Sequence, residues 1–252
     1  MFINETGKKY TLFIADLHLT EKNTKINDIF LNFLQQVAGR AEALYILGDL
    51  FMLWAGDDDD TPFHETVKTA LHELVTSGTK VFLMPGNRDF LLGERFARES
   101  GCQLVQDPLI TNIYGRHTLL THGDNLISRD LAHKKFRALT QNLKDKKWFF
   151  ELPIKTRKGI AWVVHSLSAA RNALRLQSKQ KLRKISERAA LIVMKRQKVE
   201  QVIHGHIHMP FVVTFWDDAK DREMRQVSLG NWDEAGSALV YVSDGEVQLR
   251  NF

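Results

Sequence analysis

Side chains able to hold a metal ion recur in this sequence at the ends of short apolar runs. Thr11-Leu-Phe-Ile-Ala15 leads straight into Asp16, and His18 follows two places later. In an extended chain residues i and i+2 point to the same side, so both can reach one ion. By itself such a pair equally suits a solvated turn. The same junction returns as Gly48-Asp49, as Gly86-Asn87-Arg88-Asp89, as His122 and as Gly205-His206-Ile207-His208. One junction is noise, but repetition along the chain is a pattern. Carboxylate, carboxamide and imidazole donors suit divalent ions such as Mn²⁺, Mg²⁺, Fe²⁺ or Zn²⁺. A thiolate cage is excluded, because Cys102 is the single cysteine. Asp16, His18, Asp49, Asn87, His122, His206 and His208 together exceed what one ion needs. Two ions sharing a bridging carboxylate, roughly 3.5–4 Å apart as in two-metal hydrolytic sites, account for all seven.

The elements that must position them are legible from periodicity. Ala43–Leu47, Lys80–Met84 and Gln201–His204 read as buried strands, like the run before Asp16. Between them, Lys25 to Ala38 places Ile26, Ile29, Phe30, Phe33, Leu34 and Val37 at helical spacing. Phe63 to Ser77 and Glu94 to Ser100 read as helices, stopped by Gly78 and Gly101. The order β-α-β-α-β predicts parallel strands joined by right-handed crossovers. Ligands then fall at the C-terminal strand ends, where open α/β sheets bind them. Leu109–Tyr114 and His117–Thr121 read as a hairpin. Residues 125–199 are mostly helical in pattern. Phe211–Trp216, Met224–Leu229, Ala238–Ser243 and Glu246–Arg250 form a terminal strand set, with a turn at Asp244-Gly245. The expected class is α/β, two mixed sheets packed together and flanked by helices.

A chain of 252 residues, 44% hydrophobic and 26% charged, suffices for one full core. No disulfide framework is possible, the N-terminal stretch lacks a signal peptide's apolar region, and no run nears the ~18 apolar residues of a membrane span. A cytosolic protein, at most lying on a membrane, is expected. The net charge of +5 hides an asymmetry. Residues 125–200 carry 20 Lys/Arg against 5 Asp/Glu, so the rest of the chain is acidic. That suits either solvated lysine-rich helices or a surface meeting an anionic partner.

Taken in order, the five blocks resemble the calcineurin-like metallophosphoesterases, whose signature is Asp-x-His, Gly-Asp, Gly-Asn-[His/Arg]-[Asp/Glu], a lone His and Gly-His-x-His. The resemblance implies an αββα sandwich. It also implies that Asp16, His18, Asp49 and His208 hold one metal and Asp49, Asn87, His122 and His206 the other, with Asp49 bridging. Arg88 stands where the family usually has His. An arginine is always charged and grips a phosphate with two N–H groups.

Arg88, together with Leu50-Phe51, Trp54 and Gly56-Asp57-Asp58, is similar to one branch, the UDP-2,3-diacylglucosamine hydrolases of lipid A synthesis. That similarity implies a pyrophosphohydrolase, usually with Mn²⁺. A water bridging the metals at Asp49 attacks the UMP-side phosphorus, giving UMP and 2,3-diacylglucosamine 1-phosphate, and Arg88 stabilises the developing charge. The branch places Asn87, Arg88, Asp130, Ser168, Asn172, Arg175 and His206 against substrate. Ser168, Asn172 and Arg175 share one helix face by spacing, and Arg175 replaces the branch's lysine. The basic stretch, about 125–199, becomes a helical insert or lid within a single domain spanning 1–252. Its aromatic patch includes Trp148, Phe149, Phe150, Ile160, Trp162, Val163, Val164 and Leu167, with Lys155, Arg157 and Lys158 alongside. The patch suits packing on the sandwich, and equally acyl chains and an anionic lipid surface. With the branch resemblance, the expected location is the cytoplasmic face of the inner membrane, held peripherally, with no nucleic acid and no obligate protein partner.

Other polar residues read as structural. His64, His72, His133 and His165 fall on helical patterns, His117 opens a strand, His204 precedes a ligand turn, and Asp57 to Asp60 form a charged loop beside the site. Two rival functions share the motifs. A different two-metal phosphoesterase, such as a nucleotide pyrophosphatase or a nuclease, uses the same ligands, and a nuclease binds DNA with steep salt dependence. A non-catalytic scaffold of the same fold tends to lose ligand positions, and here none is missing.

Overall fold

The apolar runs become strands at the expected places in the computed structural model, which describes residues 7–127, 147–163, 179–218 and 221–252. β1 (Tyr10–Ile14), β2 (Ala43–Leu47) and β3 (Lys80–Met84) pair in parallel, with β4 (Gln103–Leu104) beyond β3. Such pairs need crossovers, and α1 (Thr24–Gln36), α2 (Pro62–Thr76) and α3 (Glu94–Ser100) supply them. Local chemistry sets the helix ends. The Asn23 side chain accepts from the Ile26 amide, and Thr61 accepts from His64 with Pro62 in the first turn. Gly101, at φ 72°, closes α3 in a left-handed conformation that a glycine adopts without strain.

β5 (Leu109–Ile113) and β6 (Arg116–Thr121) form the expected hairpin, and β7 (Gln201–His204) joins β6 in parallel. The terminal strands do not stay together as one set. β8 (Phe211–Asp217) and β9 (Arg222–Ser228) extend the second sheet, whereas β10 (Ser237–Val242) and β11 (Val247–Asn251) return to the first, β10 pairing antiparallel with β1. Strand orders are β11-β10-β1-β2-β3-β4 and β5-β6-β7-β9-β8, so both sheets are mixed. The sequence shows no period that could assign those four strands to a sheet, because hydrophobic alternation is satisfied in either.

Burial explains why the early strands are apolar throughout rather than alternating. Successive side chains point to opposite faces. Phe13, Tyr45 and Leu47 face Leu120, Ile203 and Val227 across the space between the sheets. Leu12, Ile14, Leu44 and Ile46 pack against the helices over the first sheet, with Phe30, Phe33 and Leu71. On the other side of the second sheet, Leu119, Val202 and Met224 meet Ala190 and Met194. Those last two lie on the long helix Lys179–Gln197, giving helix, sheet, sheet, helix layers. Most of the described part of the basic stretch is helical: Asp124–Ile127, Lys147–Glu151, 154–163 and Lys179–Gln197. Among the described residues no helix is long and apolar enough to cross a membrane.

Candidate metal centre

The strand ends of both sheets converge on one cluster. After β1, the amides of Leu17 and His18 donate to the Asp49 carbonyl at 3.0 Å, and Asp16 donates to Gly48 at 3.1 Å. The loops that follow β1 and β2 therefore run side by side. Asp16, His18, Asp49, His206 and His208 all have φ between 51° and 70°. They make up five of the eight described non-glycine residues with positive φ. A side chain in that region costs on the order of 1 kcal/mol or more, and such strain collects at functional sites. The turn conformation aims each side chain out of its strand end toward the others.

Glycine makes the convergence possible at two points. A Cβ on Gly86 would lie 2.3 Å from Asp49 Oδ1, and one on Gly205 would lie 2.5 Å from Asp16 Oδ2. The glycines that flank the ligand residues in the sequence are thus spaces into which the carboxylates fit.

All seven sequence-predicted ligands share the cluster. Asp16, Asp49 and His122 are buried, His18, Asn87 and His206 are partly so, and His208 is exposed at the rim. His208 Nε2 lies 3.4 Å from Asp16 Oδ1 and 3.3 Å from His18 Nε2. Asp49 Oδ2 lies 3.9 Å from His18 Nδ1 and 3.7 Å from His122 Nε2. His122 is fixed by Leu47, whose carbonyl is 3.0 Å from Nδ1, and its Nε2 meets Asn87 Oδ1 at 2.9 Å and His206 Nδ1 at 3.2 Å. Asp16 Oδ2 accepts from the His206 amide at 2.7 Å, joining the first strand end to the last.

Electrostatics inside this cluster are tightly balanced. Burial lowers His18 to about 3, with the Arg88 charge adding, and lowers His206 to about 3, with His122 adding. Burial also pushes Asp49 up to about 7. It opposes the charged form of His122 too, yet the Asp49 and Asp16 carboxylates hold that ring at about 9. Burial would raise Asp16, but His208 and the neighbouring rings hold it below the ordinary carboxylate range.

The donor set fits divalent metal ions. Among the described residues, Asp16 Oδ1 and His18 Nδ1 are buried without a hydrogen-bond partner, an expensive state for two groups that face the same cluster. The trios Asp16/His18/His208 and Asp16/Asp49/His122 each bring their donor atoms within 4.8 Å of one another. A third trio, Asp60, Glu65 and Glu99, is already neutralised. Lys68 Nζ sits 2.6 Å from both glutamates, and Arg95 pairs with Asp60 and Glu99.

Two supporting residues carry no role in a reading by ligand type. Asp89 is fully buried, and its carboxylate accepts from the amides of Gly86, Phe51 and Asp49 at 2.7, 3.2 and 3.3 Å. It ties the second strand end to the third. The available signal is a carboxylate inside the third block that ligand counting leaves unused. Arg157 is the other. It lies beside the Phe150 ring of the aromatic patch as expected, but is buried and bound to Asp58 and to the Ala55 and Leu152 carbonyls.

Arg88 stands at the edge of the cluster. Its amide donates to Asp49 Oδ1 at 2.9 Å and its Nε lies 3.5 Å from Asp49 Oδ2. Asp130, Ser168, Asn172 and Arg175 lie outside the described residues, as do His133, His165, Val164 and Leu167. The aspartate run has individual partners. Asp57 accepts from the amides of Gly93 and Phe96, capping α3 from a distant loop, and Asp59 pairs with Lys158 at 2.7 Å. His204 is a packed residue: Gln226 Nε2 meets its Nε2 at 2.8 Å, and burial lowers it to about 4.

Comparison with known proteins agrees with this geometry. The family model for calcineurin-like phosphoesterases matches residues 10–210. A UDP-2,3-diacylglucosamine hydrolase from Enterobacter sp. (strain 638) is 40% identical over 96% of this chain and 98% of its own. Relatives with the same name from Marinobacter nauticus and Photobacterium profundum are 39% and 38% identical. They cover 89% and 96% of this chain and 90% and 97% of their own. The chain belongs to the calcineurin-like phosphoesterase family and, within it, to the group of the UDP-2,3-diacylglucosamine hydrolases.

Proposed function

We propose that the protein hydrolyses the pyrophosphate bond of UDP-2,3-diacylglucosamine, releasing UMP and 2,3-diacylglucosamine 1-phosphate. The reading is carried by one observation. The five blocks of a two-metal ligand set converge in a chain 40% identical, over 96% of its length, to a hydrolase named for that substrate.

In this reading Asp16, His18, Asp49 and His208 hold one ion, and Asp49, Asn87, His122 and His206 the other. The position of Asp49 Oδ2 between His18 and His122, one ring from each set, supports its role as the bridge. Two divalent ions, with Mn²⁺ the expected choice, would polarise a phosphoryl oxygen and acidify the attacking water. The chain's own part is positional. Asn87 and His206 border substrate as well as metal. Arg88 presents a guanidinium 3.5 Å from the bridging carboxylate, where charge develops on the phosphoryl oxygens. Asp130, Ser168, Asn172 and Arg175 complete the substrate contacts by family likeness.

The whole chain acts as one domain, with residues 125–199 as its insert. Trp148, Phe150 and Trp162 are 53%, 39% and 64% exposed on that insert, with Lys155 beside them. Amphipathic tryptophan rings sit at lipid headgroups and an apolar phenyl ring enters the acyl boundary beside them, which supports peripheral binding at the cytoplasmic face of a membrane.

Incubation with UDP-2,3-diacylglucosamine and Mn²⁺, scored by UMP release, tests the reaction. A non-acylated UDP-sugar serves as control. Equal rates on both substrates would overturn recognition of the acyl chains. Retention on vesicles containing anionic lipid, against purely zwitterionic ones, tests the membrane reading.

A further inference from the structure

The loop after β2 touches two things at once: the arginine at the reaction centre and the root of the insert. Trp54 donates from its amide to the Arg88 carbonyl at 3.2 Å, and Arg88 Nη1 meets Met52 Sδ at 2.9 Å. A few residues on, the same loop receives Arg157. Its Nη1 donates to Asp58 Oδ1 at 2.8 Å and to the Ala55 carbonyl at 2.9 Å, while Nη2 pairs with Asp58 Oδ2. Nε turns back to the Leu152 carbonyl at 2.9 Å, within Arg157's own segment.

Arg157 is 1% exposed, so this is a buried charge with its donors directed by a planar fork. Gly56 leaves the room for it, since a Cβ there would lie 2.3 Å from Nη1. Lys158 adds a second tie to Asp59, and Phe149 and Leu152 seat the same segment on the core beside Phe51 and Trp54. The Phe150 ring, part of the exposed aromatic patch, lies 5.9 Å from the guanidinium.

We propose that Arg157 is a positioning residue that clamps the 147–163 segment to the loop carrying Met52 and Trp54. In doing so it holds the insert's aromatic surface in register with Arg88, so that the acylated part and the phosphate of one substrate are received together. The choice of substrate rests on the function proposed above, whereas the clamp rests on the contacts alone.

The test uses Arg157→Met, Arg157→Lys and Asp58→Asn in the full chain, read by amide hydrogen exchange and by UMP release. In Arg157→Met, exchange over 147–163 should accelerate about tenfold or more, and KM should rise about tenfold with kcat within about threefold. Arg157→Lys keeps the charge but loses the fork and should fall between. Asp58→Asn is the milder change if the methionine variant fails to fold, and it should move both readouts the same way. Combined with Arg157→Met it should add little, because the two act as one unit. Unchanged exchange and unchanged KM in Arg157→Met would overturn the clamp. So would a fall in kcat and bound metal with KM constant, since that marks general support of the fold. If the wild type releases no UMP, the substrate assignment fails instead, and the exchange measurement still decides the clamp.

Discussion

Asp89 holds Asp49 through the backbone: its carboxylate accepts from the Asp49 amide at 3.3 Å while both residues are buried. The same carboxylate collects the Gly86 and Phe51 amides, so one side chain fixes the turn that presents the proposed bridging ligand. Asp89→Ala leaves three backbone donors unsatisfied, each costing about 1–3 kcal/mol. We expect a loss of at least about 3 kcal/mol in urea unfolding, the low end of that sum, with weaker metal binding by calorimetry. Unfolding within 1 kcal/mol of wild type would remove Asp89 from this role.

Asp49→Ala removes the oxygen lying between His18 and His122. Metal-dependent turnover should vanish, and the number of ions bound per chain should fall. Full activity in this variant would sink the two-metal scheme.

Gly205→Ala is a test of space. Its Cβ would press on Asp16 Oδ2 at 2.5 Å and on the Ala15 methyl at 2.6 Å, with no flexible chain end to give way. Overpacking of this kind costs about 1–3 kcal/mol. Metal affinity should drop more than stability, because the displaced group is a ligand. Calorimetric titration beside a urea melt separates the two.

Lys68 stands among Glu65, Glu99 and Asp60 with its amine nearly enclosed. Burial lowers its pKa, but the bonds to Glu65 and Glu99 outweigh that and leave it raised. A raised amine stabilises the fold fully below its unfolded value and loses the effect as pH climbs through the folded one. Glu99, lowered by Lys68 and Arg95, works in the opposite sense and loses its share as pH falls through the acid range. The melting-temperature gap between wild type and Lys68→Met should therefore be widest near neutrality and shrink toward both extremes. A gap independent of pH would show that Lys68 acts by packing alone.

Cys102 is buried and its thiol is pushed up to about 11, so almost no thiolate exists at pH 8. A disulfide reagent at pH 8 should modify it slowly in the native protein and at once, one equivalent per chain, in guanidinium. Rapid native labelling would contradict the burial.

The sequence by itself determined every strand but the two-residue β4, the crossover helices and the seven donor side chains at the strand ends, because each follows from local rules. Apolar runs of five residues, helical periodicity and polar strand ends are visible within a dozen residues. It could not say that β10 and β11 return to pair with β1, since alternation is satisfied in either sheet. Nor could it show that Asp89 serves as a backbone brace, or that Arg157 is a buried clamp rather than a surface cation. The four aspartates from 57 to 60 look alike in sequence, yet each has a different partner far along the chain. Those outcomes depend on contacts between residues tens of positions apart, and a charge reveals its role only when folding decides what faces it. Tertiary structure also turned a list of donors into a centre, by holding five aspartate and histidine side chains together in left-handed turns that are uncommon for any residue but glycine.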